Sequence, residues 1–122
     1  CMTPLSTEQT QLFNELELLH QRICKAIGDP KRLMIMYALQ DGPRYVVELA
    51  ESLDFPQPTV SRHLNALLHG GLVSKERHGQ VVHYQLSDLR IIDALDMMRA
   101  ILHDSVEENA RVTTSQMQPP SE

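Results

Sequence analysis

The chain has 122 residues, 42% of them hydrophobic, and a formal net charge of −5. This length suits one globular domain, and no apolar run approaches the roughly 20 residues that a membrane-spanning helix needs. Nothing resembles a secretory signal, and two cysteines far apart do not form a disulfide framework. We therefore expect a cytoplasmic protein without membrane contact.

The charge is distributed unevenly along the chain. Residues 1–55 carry five Lys or Arg and eight Asp or Glu, and residues 88–122 carry three and seven. Residues 56–87 carry three basic residues and one acidic residue, a local charge of +2. An anionic partner such as nucleic acid would bind this middle segment.

The first predicted helix is amphipathic. Ser6 or Thr7 caps its start, and it runs to about Ile27, before Gly28. Its apolar positions recur every three or four residues, at Leu12, Leu16, Leu19, Ile23 and Ala26.

Two shorter helices follow. Asp29 suits the N-cap and Pro30 the first position of the second helix, whose apolar residues are expected to be largely buried. A turn at residues 41–43 leads to a third helix over residues 45–53, and residues 54–56 separate it from the next. The order helix, tight turn, helix is a DNA-binding motif.

A fourth helix is predicted within residues 57–72. Pro58 suits its first turn, and either Gly70 or Gly71 supplies a left-handed residue after it. One side is apolar, with Val60, Leu64, Leu67 and Leu68. The other side has no acid and carries Arg62, Asn65 and His69, flanked by Thr59 and Ser61. We interpret this helix as one that enters a major groove.

After this helix the period of the pattern changes to that of a strand. Two alternating segments, 73–77 and 81–86, flank His78, Gly79 and Gln80, which predicts a β-hairpin beside the fourth helix. Such a hairpin is a wing. We therefore expect a mainly α fold with a small β-hairpin, a winged helix-turn-helix.

A final helix is predicted from near Asp88 to about Ala110. Its near-heptad stripe usually meets another helix and comprises Ile91, Leu95, Met98 and Leu102. Residues 111–122 are polar with two prolines and are predicted to be disordered, so the domain spans residues 1–110.

The runs AIGDPKRLMIMYAL, VELAESL and QPTVSRHLNALLHGGLVSKERHGQVVHYQL resemble the ArsR/SmtB family of bacterial winged-helix repressors, over about residues 10–105. The resemblance implies a homodimer on a double-stranded DNA operator with the symmetry of an imperfect palindrome. It also implies release by an inducer, commonly a metal ion, arsenite or a thiol oxidant.

The resemblance also implies site residues. In the recognition helix and its outer face, the expected DNA contacts are Gln57, Thr59, Ser61, Arg62, His63 and Asn65. In the wing they are Lys75, Arg77, His78 and Gln80. The expected dimer interface comprises Leu12, Leu16, Leu19, Ile91, Leu95, Met98 and Leu102.

The metal sites of this family do not carry over. One uses two cysteines in the helix before the recognition helix, where this chain has Tyr45 and Val47. The other joins the final helices through acid and histidine ligands; its four positions here hold Asp88, Arg90, Ile101 and Asp104. We therefore expect no metal at either family site and no cofactor.

A lone cysteine such as Cys24 is most often a small buried apolar residue. If a chemical signal acts, Cys24 is the candidate sensor, because it lies near the junction of the first two helices. Three alternatives stay open: a regulator without an effector, a metal site at His103 and Glu107 with His20, and a protein-interaction module. Ser61 and His63 lie two apart on a helix without an acid, so no enzyme is expected.

Overall fold

The protein is described by a computed structural model over residues 6–117, with side chains described to residue 108. Its elements are α1 (Thr7–Leu19), a π-helical segment (His20–Cys24), α2 (Pro30–Ala38), β1 (Arg44–Tyr45), α3 (Val46–Leu53), α4 (Gln57–His69), β2 (Val73–His78), β3 (Val81–Leu86) and α5 (Arg90–Met117). The predicted class, mainly helical with a small antiparallel β-element, is confirmed. In the described part of the chain, none of the helices combines the length and apolarity needed to cross a bilayer.

The first helix starts at a capping box. The Ser6 hydroxyl accepts from the Gln9 N–H at 3.2 Å, and the Gln9 side chain accepts from the Ser6 N–H at 2.9 Å. The helix then widens into the π-helical segment instead of continuing as a regular α-helix. The sequence predicted one regular helix, because apolar residues three or four apart are typical of a continuous α-helix and give no separate signal for a single wide turn.

The core lies between α2, α3 and α4. At the start of α2, the Asp29 carboxylate accepts from the Lys31 N–H at 2.8 Å, which lowers the pKa of Asp29, and Pro30 is the first helical residue as predicted. The fully buried side chains are Ile35, Met36, Leu39, Leu49, Val60, Leu64 and Leu67. Burial of one such side chain stabilises the fold by about 1.5–3 kcal/mol, so these contacts fix which side of α4 faces the solvent.

Two residues with left-handed backbone geometry flank α4, one on each side. Asp54 ends α3 in the left-handed region with φ of 57°, a conformation that Asp tolerates better than most side chains. After α4, Gly71 is the left-handed residue with φ of 77°, whereas Gly70 stays right-handed. Gly70 is needed for space, because a Cβ there would lie 2.7 Å from the Arg22 carbonyl oxygen. The end of α4 can therefore approach the end of the first helix closely.

The wing is a three-stranded antiparallel sheet in the order β1-β3-β2. Val73 lies opposite Leu86 and His78 opposite Val81, so the turn holds only two residues and includes Gly79 with φ of 67°. β1 was not predicted; the sequence assigned its second residue, Tyr45, to the start of α3. Two residues are too few to show a strand pattern, and β1 exists because it pairs with β3.

The helix α5 forms a compact unit of its own. It continues to Met117, into the segment predicted to be disordered, because neither Gly nor Pro interrupts the chain before Pro119. Residues 118–122 of that segment lie outside the described residues.

The predicted interface stripe of α5 is only partly exposed. Met98 and Leu102 are 47% and 59% exposed, Ile91 is half-buried, and Leu95 is 5% exposed in the single chain. The assignment of these four residues to a dimer interface stays a prediction. Heptad spacing identifies an apolar stripe, but it does not determine the exposure of each of its members.

Candidate nucleic-acid interface

The solvent side of α4 is a polar surface without an acid. Gln57, Arg62 and Asn65 are exposed, and Thr59 and Ser61 are partly buried beside them. Guanidinium and amide groups are the side chains that most often bind base edges in a major groove. The prediction of an outward polar face, opposite a buried apolar one, is thus confirmed for these positions.

His63 does not belong to this surface. Its side chain is 5% exposed, and its Nδ1 accepts a hydrogen bond from Nε of Arg32 at 3.1 Å. The prediction that His63 contacts DNA is wrong, because this position lies between the buried Val60 and Leu67 on the inward side of α4. The imidazole joins α4 to α2 instead.

Arg32 is the residue that the sequence analysis missed. Besides the bond to His63, its guanidinium donates to the carbonyl oxygens of Lys25 at 3.2 Å and Ala26 at 3.3 Å. One planar side chain thus connects α2, α4 and the end of the first helix, where it donates to two backbone carbonyls. The sequence spacing could have predicted this position. Arg32 precedes the buried Met36 by four residues and therefore lies on the same side of α2.

The folded protein favours the neutral form of His63, because its pKa is lowered. Burial is the main cause that lowers its pKa below 6.5; the charges of Arg32 and Arg62 act in the same direction, and Asp29 opposes them. The unfolded chain therefore binds a proton at this position at a higher pH than the folded chain does. Stability from this group is complete above pH 6.5 and is lost as the pH falls below it.

This loss gives a measurable pH dependence. Between pH 7.5 and 5.5, the free energy of unfolding should fall less in His63→Asn than in the natural protein, because Asn can accept from Arg32 without taking up a proton. Urea unfolding at the two pH values measures the difference, with His69→Asn as the control at an exposed position of the same helix. Equal pH dependence in His63→Asn and the natural protein would contradict this assignment.

The wing residues are all exposed but do not share one face. Lys75 and Arg77 alternate with Glu76 and His78 along β2, so the two basic side chains lie on one face and His78 lies on the other. The Nε of Arg77 donates to the carbonyl oxygen of Gly79 at 3.2 Å and so holds the turn. Two cations are thus available near the turn for an anionic backbone.

Cys24 is exposed rather than buried. The expectation of a small buried residue is wrong because the end of the first helix buries a different side, through Ala26, which is 6% exposed. Potential metal ligands come together elsewhere: among the described side chains, the group of three lies in the wing, at Glu76, His78 and His83.

Comparison with known proteins identifies the family. The sequence pattern of "Bacterial regulatory protein, arsR family" matches residues 29–75, which hold α2, α3, α4 and the start of β2. An uncharacterised HTH-type transcriptional regulator of Methanocaldococcus jannaschii is 38% identical over 77 residues, which cover 62% of this chain and 86% of that protein. The chain belongs to the ArsR family.

Two further comparisons agree with the geometry. The transcriptional repressor SdpR of Bacillus subtilis is 33% identical over 76 residues, covering 62% of this chain and 84% of that protein. The homodimeric winged helix-turn-helix DNA-binding domain of a Mycobacterium bovis protein superposes with a TM-score of 0.65 at 25% identity, covering 84% of this chain and 92% of that domain. This ArsR-family member is a winged helix-turn-helix regulator of transcription.

Proposed function

We propose that this protein is a transcriptional repressor that binds a double-stranded operator through α4 and the wing. The observation that carries the proposal is the two-sided α4, with Val60 and Leu64 fully buried on one side and Arg62 and Asn65 exposed on the other. The match to a transcriptional repressor over most of that relative's length supports it.

Arg62 and Asn65 are proposed to determine the operator sequence. A guanidinium donates two parallel hydrogen bonds to O6 and N7 of guanine, and an amide pairs with N6 and N7 of adenine. Gln57 lies at the start of α4, and the first residues of a recognition helix are those that enter the groove. Thr59 and Ser61, partly buried beside them, suit contacts to phosphate oxygens.

The repressor is proposed to act as a homodimer. No residue of α1 is buried in the single chain. Its large apolar side chains are 42–55% exposed: Leu12, Phe13, Leu16, Leu18 and Leu19. In α5, a second exposed apolar group comprises Met97, Met98, Ile101, Leu102 and Val106. Apolar surface of this extent on two helices usually marks an interface, and the structural neighbour from M. bovis is a homodimer.

A two-fold dimer presents two copies of α4, which implies two half-sites and an imperfect palindrome. Selection of duplexes from a random pool by the purified chain tests this proposal. Enrichment of a palindromic consensus supports the repressor, and the consensus then serves as the operator in later assays. Absence of any enriched sequence would favour the alternative of a protein-interaction module.

The wing is proposed to contact phosphates and to carry no sequence preference. Arg77→Ala should weaken binding to the operator and to random DNA by the same factor and lower the slope of log affinity against log salt by about 0.9. Fluorescence anisotropy titrations at several salt concentrations measure both quantities. Arg77→Lys is the control, because it keeps the charge and loses the bond to Gly79. An unchanged slope in Arg77→Ala would remove this side chain from the interface.

A thiol-reactive inducer would act through Cys24, the free cysteine of the described chain. Oxidants and alkylating reagents reach an exposed thiol, but its modification displaces no packed neighbour. The effect on operator affinity would therefore depend on added charge near α4 and not on disrupted packing. A regulator without an effector stays the alternative.

A further inference from the structure

Three potential metal ligands share one face of the wing. Glu76 lies directly opposite His83 in the β2–β3 ladder, and His78 follows Glu76 by two residues and so lies on the same face. One ligand atom from each residue lies within 4.8 Å of the others. His78 Nε2 is 3.7 Å from a Glu76 carboxylate oxygen, and the rings of His78 and His83 have centroids 4.3 Å apart.

One histidine of this cluster, His83, has a ring nitrogen without a described hydrogen-bond partner. Nδ1 of His83 is buried and has no hydrogen-bond partner among the described residues. Buried nitrogens usually have a partner, so an unpartnered imidazole nitrogen leaves His83 available to a ligand. The ring of Tyr45 packs beside His83, with centroids 5.4 Å apart, and limits the movement of the imidazole.

We propose that Glu76, His78 and His83 form a binding site for a divalent transition-metal ion, with zinc as the best match. Two histidines and one glutamate are a common zinc ligand set, in which a water molecule fills the fourth, tetrahedral position. Zinc holds such ligands at about 2.0–2.2 Å, which requires ligand atoms closer together than 4.8 Å. The side chains of His78 and Glu76 are 54% and 59% exposed, so they can rotate towards the more enclosed His83.

The site differs in position from the two metal sites that the family pattern would place in α3 and α5. It requires only neighbouring strands of one hairpin, so it forms within a single subunit. A surface ion pair between His78 and Glu76 would explain their distance, but it would not explain the unpaired His83 nitrogen.

Bound zinc would change the charge of the wing. The ion carries two positive charges, so it offsets the Glu76 carboxylate and raises the net positive charge of a hairpin that also carries Lys75 and Arg77. This consequence rests on the proposed function: zinc should strengthen binding to operator and random DNA alike and steepen the salt dependence, because the added charge acts on phosphates. Zinc binding itself is independent of DNA and is measured first.

Isothermal titration of the tag-free, chelator-treated full chain with zinc tests the site. We expect one ion per chain, and cobalt in its place should give the visible absorption of a tetrahedral complex. His78→Ala, His83→Ala and Glu76→Gln should each lower the zinc affinity by about a hundredfold or more. Loss of a residue that only hydrogen-bonds to a metal ligand costs roughly 10–100-fold. His69→Ala and His103→Ala are the controls and should bind as the natural protein does.

Three outcomes would overturn the site: no zinc binding by the natural chain, unchanged affinity in His78→Ala and Glu76→Gln, or loss of binding in His103→Ala. The last would promote the alternative site at His103 and Glu107. Thermal unfolding confirms that each variant is folded. If His83→Ala does not fold, the zinc affinity of His78→Ala, at an exposed position, tests the site. The DNA titrations are interpreted separately. Zinc binding without any effect on DNA affinity would overturn the predicted effect of zinc on DNA binding but not the zinc site. Failure to select an operator would contradict only the proposed function.

Discussion

A chain in which Met98 and Leu102 are both replaced by glutamate is expected to sediment as a monomer. Both side chains are about half exposed in the single chain, at 47% and 59%, so the change removes little packing within the subunit. In a two-fold dimer the same change places like charges from both copies in a buried interface, where unpaired charges cost several kcal/mol. Operator affinity should fall with the loss of the dimer, because each half-site is then bound separately.

Sedimentation equilibrium at several protein concentrations measures the effect. Val47→Glu, at a 50% exposed apolar position of α3, is the matched control and should remain dimeric. Leu95 is left unchanged, because it is only 5% exposed and its replacement would also remove buried apolar surface. A Met98→Glu, Leu102→Glu variant that stays dimeric would show that α5 lies outside the interface and would leave α1 as the candidate.

Arg62→Ala is expected to cost about 1–3 kcal/mol of operator binding, which is a loss of roughly 5- to 150-fold, and much less on random DNA. The reason is geometric: Arg62 is exposed at the middle of a helix whose orientation is fixed by buried neighbours on the opposite side. A bidentate contact to guanine is lost, whereas few phosphate contacts are. Anisotropy titrations with the selected operator and a scrambled duplex measure both affinities.

Arg62→Lys separates base recognition from charge. Lysine keeps the positive charge but offers no planar pair of donors, so operator affinity should stay reduced while binding to the scrambled duplex is restored. Equal losses on both duplexes in Arg62→Ala would assign Arg62 to the phosphate backbone. Asn65 would then be the first position to test for sequence recognition.

The sequence by itself determined the features that depend on local spacing. Asp29 and Pro30 defined the start of α2, and Val60 and Leu64 defined the buried side of α4, because capping and helical periodicity involve residues within a few positions of one another. The turn at Gly79 followed from the alternation on both sides of it. These features sufficed to predict the fold class and most of the polar face of α4.

Only the tertiary structure decided the features that depend on distant parts of the chain. His63 shares the helix of Arg62 but is buried, and its imidazole accepts from Arg32, 31 residues earlier in the sequence. β1 exists only because β3 lies beside it. Glu76 and His83 become neighbours only through the register of two strands. In each case the contact joins two elements, and the spacing of residues within one element does not predict it. Spacing predicts which side of a helix or strand is apolar, whereas packing determines which residues cover that side.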